Sequence, residues 1–380
     1  MSSSKFRSPG LELWQMKKIL LPLLIFSCLS SQEIELFMDW QWTAKGQEIF
    51  PLHLGARIED LSLESQIRRR LMERGWEIRS WEVEKYRPWL LTWNEVHSWA
   101  DLIHWLGWGL PREEPMLNET KYWVFWSLGK QLRNFSFERL PKERMALFIW
   151  EPSVVQEETY NPKLHACFGK IFTWDDDLVD GVKYFKFHYP VLRARLSEIP
   201  SFEEKKFCTL INSRLSSKHP KQIYKEREKA IEFFEEKPGE FDLYGRYWEK
   251  RNYRNYRGVI GDKLAVLKNY KFSICYENTK GTRGYVTEKI FDCFAAGVVP
   301  AYWGASNIEE YVPADCFIDR RRFKDTKELY EFMKAMSKEE YEGYLERAAQ
   351  FLKSEKAKVF SSDHFIETFV NGLTIQNPSS

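Results

Sequence analysis

Residues 270–304 read YKFSICYENTKGTRGYVTEKIFDCFAAGVVPAYWG, and this stretch decides the fold. Its apolar first seven residues, 270–276, predict a buried strand. After a glycine-containing loop, apolar residues at helical spacing predict a helix over 288–296, with Thr287 as its N-cap. The run VVPAYW at 298–303 predicts a returning strand. Strand, loop, helix and strand in this order indicate a parallel α/β sheet.

The charged group Thr-Glu-Lys at 287–289 lies where such a sheet binds ligands. In an open α/β sheet, ligands bind beyond the carboxyl ends of the strands, where helix N-termini attract phosphate. Lys289 in the first helical turn opposes the helix dipole by about 0.3–1 kcal/mol unless an anion lies between them. The spacing alone also fits an ordinary capped helix in which Glu288 complements the dipole, and the two interpretations stay open at this point.

Outward from this stretch, apolar strands and helical patterns alternate through most of the chain. They predict an α/β layered protein with a change of domain near residues 195–205. The predicted elements are strands at 33–40, 122–128, 145–150, 206–211 and 241–244, and helical stretches at 91–111, 222–235 and 324–358. The predicted organisation is a leader at 1–31, an N-terminal domain at 32–200, a C-terminal domain at 201–358 and a tail at 359–380.

Composition excludes several classes of protein. The 380 residues carry 57 basic and 55 acidic side chains, a net charge of +2, so no global field attracts nucleic acid or an anionic membrane. The six cysteines are scattered, without a Cys-x-x-Cys pair, which argues against a zinc site and a dense disulfide framework.

The N-terminus resembles a secretory signal. Lys17 and Lys18 precede eleven mostly apolar residues at 19–29, and small serines follow. The run is shorter than the about 20 residues that span a bilayer, so it predicts a signal or a short membrane-associating segment. Entry into the secretory pathway or membrane association is the expectation. A first buried element in a cytoplasmic protein is the alternative.

The opening stretch resembles the signature of the α-1,3/4-fucosyltransferases, glycosyltransferase family 10. In that family an aromatic-Glu-Asn group, a variable loop, Tyr-(Ile/Val)-Thr-Glu-Lys and Ala-Gly-x-Val-Pro-x-x-x-Gly follow in this order. The resemblance extends over roughly residues 120–320 and includes LFIWEP (147–152), FTWDDDLVD (172–180), KYFKFHYPVL (183–192) and FDLYGR (241–246).

The resemblance implies a GT-B fold, in which two Rossmann-like domains face each other across a cleft. It makes 32–200 the N-terminal acceptor-side domain and 201–358 the C-terminal nucleotide-sugar donor domain. It implies inverting transfer of L-fucose from GDP-fucose to a hydroxyl of a glycan acceptor, α-1,3 on a GlcNAc or Glc residue. Glu151 matches the family's catalytic base, and a turn residue before Pro152 is the alternative for it. Five further residues match donor-binding positions: Arg227 and Lys289 for the diphosphate, Asn278 and Tyr285 for the phosphate and fucose, and Glu288 for the ribose hydroxyls.

No cofactor is expected, and a divalent metal is expected to be at most stimulatory. The triple Asp at 175–177 resembles the metal-binding Asp-x-Asp of other glycosyltransferases, but in a GT-B protein it is interpreted as a turn. Two alternatives to fucosyl transfer remain. They are a related GT-B transferase that uses another nucleotide sugar and an inactive carbohydrate-binding descendant.

Overall fold

The computed structural model describes residues 32–38, 76–82, 121–126 and 140–374, together with part of a helical segment between residues 67 and 74. The predicted leader at 1–31 and the predicted helical stretch at 91–111 lie outside these residues.

The N-terminal part of the described chain forms a six-stranded sheet in the order β2-β1-β3-β4-β5-β6. Every neighbouring pair in it is parallel. Because all six strands run in the same direction, their carboxyl ends lie at one edge of the sheet. The strands are β1 (Gln32–Met38), β2 (Trp76–Glu82), β3 (Lys121–Phe125), β4 (Met145–Ile149), β5 (Lys170–Thr173) and β6 (Tyr184–Lys186).

The C-terminal part forms a second parallel sheet, of five strands in the order β11-β10-β9-β7-β8. The strand β9 near its centre is almost continuously buried, as a strand covered on both faces must be. The strands are β7 (Lys206–Ile211), β8 (Phe241–Tyr244), β9 (Tyr270–Tyr276), β10 (Val299–Trp303) and β11 (Ile318–Asp319).

Helices cover both sheets and none of those described is long and apolar enough to cross a membrane. The α-helices are α1 (Pro162–Ala166), α2 (Tyr224–Glu235), α3 (Lys263–Leu267), α4 (Glu288–Ala295), α5 (Ile308–Tyr311), α6 (Thr326–Ala335), α7 (Lys338–Leu352), α8 (Glu355–Lys358) and α9 (Ser362–Thr374). Short 3-10 helices occupy Lys142–Arg144, Glu157–Tyr160, Glu249–Arg251, Ala314–Cys316 and Arg320–Arg322.

The predicted α/β class is confirmed, and β9, α4 and β10 form the strand–helix–strand unit expected from residues 270–304. The predicted N-cap position of Thr287 is confirmed, but its side chain does not cap the helix. Thr287 occupies the N-cap position with extended backbone but makes no side-chain capping bond. Its hydroxyl instead donates to Glu277, with 2.8 Å between Thr287 Oγ1 and Glu277 Oε2.

Helix α9 packs on the first sheet although it follows the whole second sheet in the chain. The ring centroids of Phe369 and Phe148 on β4 are 5.3 Å apart, and Phe148 stacks on Phe172 at 4.6 Å. The chain therefore passes from the first sheet to the second between β6 and β7 and returns at its end. The domain boundaries at 31, 200 and 358 stay a prediction.

Candidate active site

The carboxyl ends of the two sheets meet at one polar cluster. Glu151 follows β4 in the first sheet, Asn278 follows β9 in the second, and the Asn278 side chain is close enough to Glu151 to lower its pKa slightly. A second contact joins the same two regions, with 3.3 Å between Ser153 Oγ and His219 Nε2. Residues from both halves of the chain therefore line a common site, at the sheet edge where α/β proteins bind ligands.

One carboxylate oxygen of Glu151 is bonded by none of the residues that the structure describes. Its Oε2 is buried and has no hydrogen-bond partner among the described residues. Hydrogen bonds fix the main chain around it, because Tyr160 donates to the Glu151 carbonyl at 3.2 Å and Tyr189 donates to the Trp150 carbonyl. Burial raises the pKa of Glu151 above its usual value, and Lys289 opposes only part of that rise. A fixed carboxylate with a free oxygen and a raised pKa can accept a proton.

Lys289 is held at the start of α4 by two carboxylates and a hydroxyl. Its Nζ lies 2.9 Å from Glu277 Oε2, 3.5 Å from Glu288 Oε1 and 3.0 Å from Thr287 Oγ1. Burial on its own would lower the pKa of Lys289, but Glu277 and Glu288 outweigh it and raise the pKa above its usual value. The anion that offsets this lysine at the positive end of the helix is therefore supplied by the protein itself.

Glu288 is the more exposed carboxylate of the two, with 43% of its side chain accessible. Burial would raise its pKa, but Lys289 and Lys263 outweigh it, so the pKa lies below its usual value. An ionised and accessible carboxylate can accept hydrogen bonds from the hydroxyl groups of a ligand.

Asn278 and Tyr285 lie together beside Glu151. Asn278 Nδ2 is 3.4 Å from the Tyr285 hydroxyl. The Tyr285 ring is buried and packs on Trp174, which follows β5 in the first sheet, with 4.6 Å between ring centroids. This ring fixes the loop before α4 against the first sheet.

Arg227 on α2 is buried, with 2% of its surface exposed. Its Nη2 donates to three acceptors at the end of β9, namely the carbonyls of Tyr276 (2.7 Å) and Glu277 (2.6 Å) and Oδ1 of Asn278 (3.2 Å). Its Nε is buried without a hydrogen-bond partner among the described residues. The guanidinium thus fixes the main chain that carries Asn278 and keeps one donor free.

The triple Asp lies at the junction of the two sheets. Asp176 accepts hydrogen bonds from Lys186 on β6 (2.6 Å), from the Tyr311 hydroxyl (2.6 Å) and from Asn307 Nδ2 (2.9 Å). Burial would raise its pKa, but these hydrogen bonds outweigh it and hold the pKa below its usual value. Within the described residues no three His, Cys, Asp or Glu side chains are grouped so that they could hold a metal ion.

All six predicted site residues lie in or beside this cluster, and their roles stay predictions. Glu277 received no role from the sequence, yet it is the carboxylate that bonds Lys289. The available signal was its position at the end of a buried apolar strand, where a charged side chain needs a partner.

Comparison with known proteins agrees with this architecture. A family model described as the C-terminal region of glycosyltransferase family 10 (fucosyltransferase) matches residues 183–368. The crystal structure of an α1,3-fucosyltransferase with GDP-fucose aligns over 92% of this chain and 93% of its own, with a TM-score of 0.50 and 14% identity.

Curated relatives match over shorter segments. The Helicobacter pylori α-(1,3)-fucosyltransferase FucT is 36% identical over 75 residues, which are 20% of this chain and 16% of that protein. The mouse 4-galactosyl-N-acetylglucosaminide 3-α-L-fucosyltransferase 9 is 32% identical over 144 residues, 37% of this chain and 35% of that protein. The matched segments thus span well under half of these relatives.

Two parallel sheets whose carboxyl ends share one polar site define the GT-B fold, and the predicted fold is confirmed. Within that fold, residues 183–368 match the C-terminal region of glycosyltransferase family 10, the fucosyltransferases.

Proposed function

We propose that this chain is an inverting fucosyltransferase that moves L-fucose from GDP-fucose to a hydroxyl of a glycan acceptor, forming an α-1,3 linkage to a GlcNAc or Glc residue. The proposal rests on one observation: Glu151 and Lys289 lie in the same cluster. Glu151 has a buried oxygen without a partner among the described residues, and Lys289 lies at the start of a helix. The fucosyltransferase relatives and the GDP-fucose in the aligned crystal structure support the choice of donor.

The reaction needs one proton acceptor and a stabilised leaving group. Glu151 takes the proton of the acceptor hydroxyl while that oxygen forms a bond to the anomeric carbon of fucose. The bond from that carbon to the diphosphate oxygen breaks, and GDP leaves with the electron pair. Because attack and departure occur on opposite faces of the carbon in one displacement, the configuration inverts.

The positive side chains are proposed to stabilise GDP as it leaves. Lys289 contributes a full charge at the start of α4, where the helix dipole also favours phosphate. Arg227 contributes its unpartnered Nε, while its Nη2 holds the loop. Glu288 accepts hydrogen bonds from the ribose hydroxyls, and Asn278 and Tyr285 line the phosphate and fucose.

We propose that no cofactor is required, because cationic side chains occupy the place that a metal ion takes in other transferases. The acceptor is proposed to bind on the first-sheet side of the cluster, next to Glu151. Membrane association or passage through the secretory pathway rests on residues 1–31 and is tested by fractionating cells that express the full chain.

The deciding experiment measures transfer by the purified full-length chain from GDP-fucose, GDP-mannose and UDP-glucose to N-acetyllactosamine, lactose and chitobiose. We expect transfer from GDP-fucose alone, and an α-1,3 linkage when the product is analysed by NMR. Transfer from another donor instead would establish the related GT-B transferase. Glycan binding without binding or hydrolysis of GDP-fucose would establish the inactive descendant.

A further inference from the structure

Glu277 lies directly before Asn278 and takes no part in the steps above. Its side chain is completely buried, with 0% of its surface exposed. Removing a carboxylate from water costs several kcal/mol unless the protein satisfies it. The contacts that satisfy Glu277 therefore indicate what it does.

Both oxygens of Glu277 are bonded to the start of α4. Oε1 accepts from the Thr287 main-chain nitrogen at 3.1 Å and from its hydroxyl at 2.9 Å. Oε2 lies 2.9 Å from Lys289 Nζ. Its main chain is fixed as well, because its nitrogen donates to the Trp303 carbonyl at 2.8 Å and its carbonyl accepts from Arg227. Glu277 thus connects the ends of β9 and β10 with α2 and α4.

The fold also leaves room for this side chain at Gly304. A Cβ atom at position 304 would lie 2.5 Å from Cγ of Glu277 and 2.5 Å from the Tyr302 hydroxyl. Such distances are far inside van der Waals contact, so any larger residue would displace the carboxylate. The space beside Glu277 therefore depends on a glycine.

We infer that Glu277 is a positioning residue of the donor site: it fixes the Lys289 ammonium at the start of α4, where that ammonium meets the diphosphate of the donor. The inference rests on the proposed function in one respect, the identity of the anion as a nucleoside diphosphate. Glu277 itself is buried behind Lys289 and acts through it.

The charges around Lys289 set the expected pH dependence. The groups that face it are Glu277 at the end of β9, Glu288 on α4, Glu151 at the end of β4, Arg227 on α2 and Lys263 on α3. Burial and Arg227 lower the pKa of Lys289, and Glu277 is the largest contribution that raises it. Without the Glu277 charge the pKa of Lys289 falls, so the positive charge is lost at a lower pH.

The test measures GDP affinity by titration calorimetry from pH 7 to pH 10 in wild type, Glu277→Gln, Lys289→Gln and the double variant. We expect Glu277→Gln to weaken GDP binding by about tenfold at pH 7, and more as the pH rises. In the Lys289→Gln background the same change should cost nothing further, because its effect passes through the lysine. Equal losses in both backgrounds, or a pH profile that does not move, would overturn the inference.

Asp242→Asn is the matched control. Asp242, on the edge strand β8, is also buried, with 6% of its surface exposed. Its Oδ2 lies 2.9 Å from Lys206 Nζ. We expect this variant to lose stability but to keep the wild-type GDP affinity and pH profile. If Glu277→Gln does not fold, Glu277→Asp replaces it. Aspartate keeps the charge but withdraws the carboxylate by one methylene, so it should weaken GDP binding already at pH 7. Wild-type affinity in Glu277→Asp would overturn the inference.

Inorganic diphosphate, titrated in parallel, separates the two proposals. If the wild type binds diphosphate but neither GDP nor GDP-fucose, the proposed donor is overturned. The four variants are then compared by their affinity for diphosphate, which tests the role of Glu277 on its own. Wild type that binds none of the three would overturn both.

Discussion

Two carboxylates follow neighbouring strands of the first sheet but differ in their hydrogen-bond partners. Asp176, after β5, accepts hydrogen bonds on both oxygens, from Lys186, Tyr311 and Asn307. Glu151, after β4, keeps its Oε2 buried without a partner among the described residues. The pKa of Asp176 is lowered and that of Glu151 is raised.

The difference separates a structural acid from a functional one. Partners that saturate a carboxylate stabilise its charged form and leave it no capacity for a ligand or a proton. A carboxylate that is buried but unsatisfied costs stability, and such a cost is characteristic of sites that act on a substrate. Asp176 therefore joins the two sheets, whereas Glu151 keeps the capacity to accept a proton that the proposed base needs.

The largest expected effect is that of Glu151→Gln. Glutamine keeps the shape of the side chain but cannot take the proton, so kcat should fall by about 10²–10⁴-fold. GDP affinity should stay at the wild-type value, because the donor contacts lie on the second sheet. Transfer at an undiminished rate, measured with radiolabelled GDP-fucose, would show that Glu151 is not the base.

Asp176→Asn should act on stability instead. The change leaves Lys186 partly buried without its counter-charge, which should lower the free energy of unfolding by about 2–3 kcal/mol, somewhat less than for a fully buried pair. Denaturant titration measures this. Asp177→Asn is the control, since Asp177 is 66% exposed and its pair with Arg283 spans 3.5 Å, so a change within about 0.5 kcal/mol is expected. Full stability with lost transfer in Asp176→Asn would make Asp176 a functional residue.

Activity, which depends on Glu151, and stability, to which Asp176 contributes, should also be lost at different pH values. As pH falls, kcat/KM should decline through the pKa of Glu151, above the usual glutamate value of 4.5. The stability that Asp176 contributes is fully present above the usual aspartate value of 3.8 and is lost as pH falls through its lowered pKa. Activity should therefore vanish while the protein is still folded. Simultaneous loss of activity and of the near-ultraviolet circular dichroism signal would contradict this.

The smallest effect should come from removing metal ions. With Asp176 saturated by protein donors, EDTA should change the initial rate by less than about twofold, and added Mn²⁺ should stimulate at most modestly. A rate abolished by EDTA and restored by Mn²⁺ would show that the triple Asp or another group binds a required metal.

Local patterns in the chain were enough to predict much of the second sheet. The apolar runs at 270–276 and 298–303 and the helix between them are visible as periodicity, because each is set by contacts close in sequence. The candidate base was identified through the family resemblance of IWEP, which no periodicity could supply.

Contacts between distant residues were not predictable in this way. Asp176 is saturated by residues 131 and 135 positions further along the chain, so the triple Asp looked like a metal site or a turn. Thr287 bonds a carboxylate ten residues earlier instead of its own helix. Helix α9 did carry a signal, the i, i+4 spacing of Phe365, Phe369 and Leu373, but the sheet it covers could not be read from it.

The position of α9 has a consequence for how the protein is made. Its rings complete the core around Phe148 on β4, next to the strand end that carries Glu151. The ribosome delivers this helix only after the entire second sheet. The first sheet must therefore keep part of its apolar surface uncovered until synthesis has passed residue 374, and the surroundings of Glu151 are completed last.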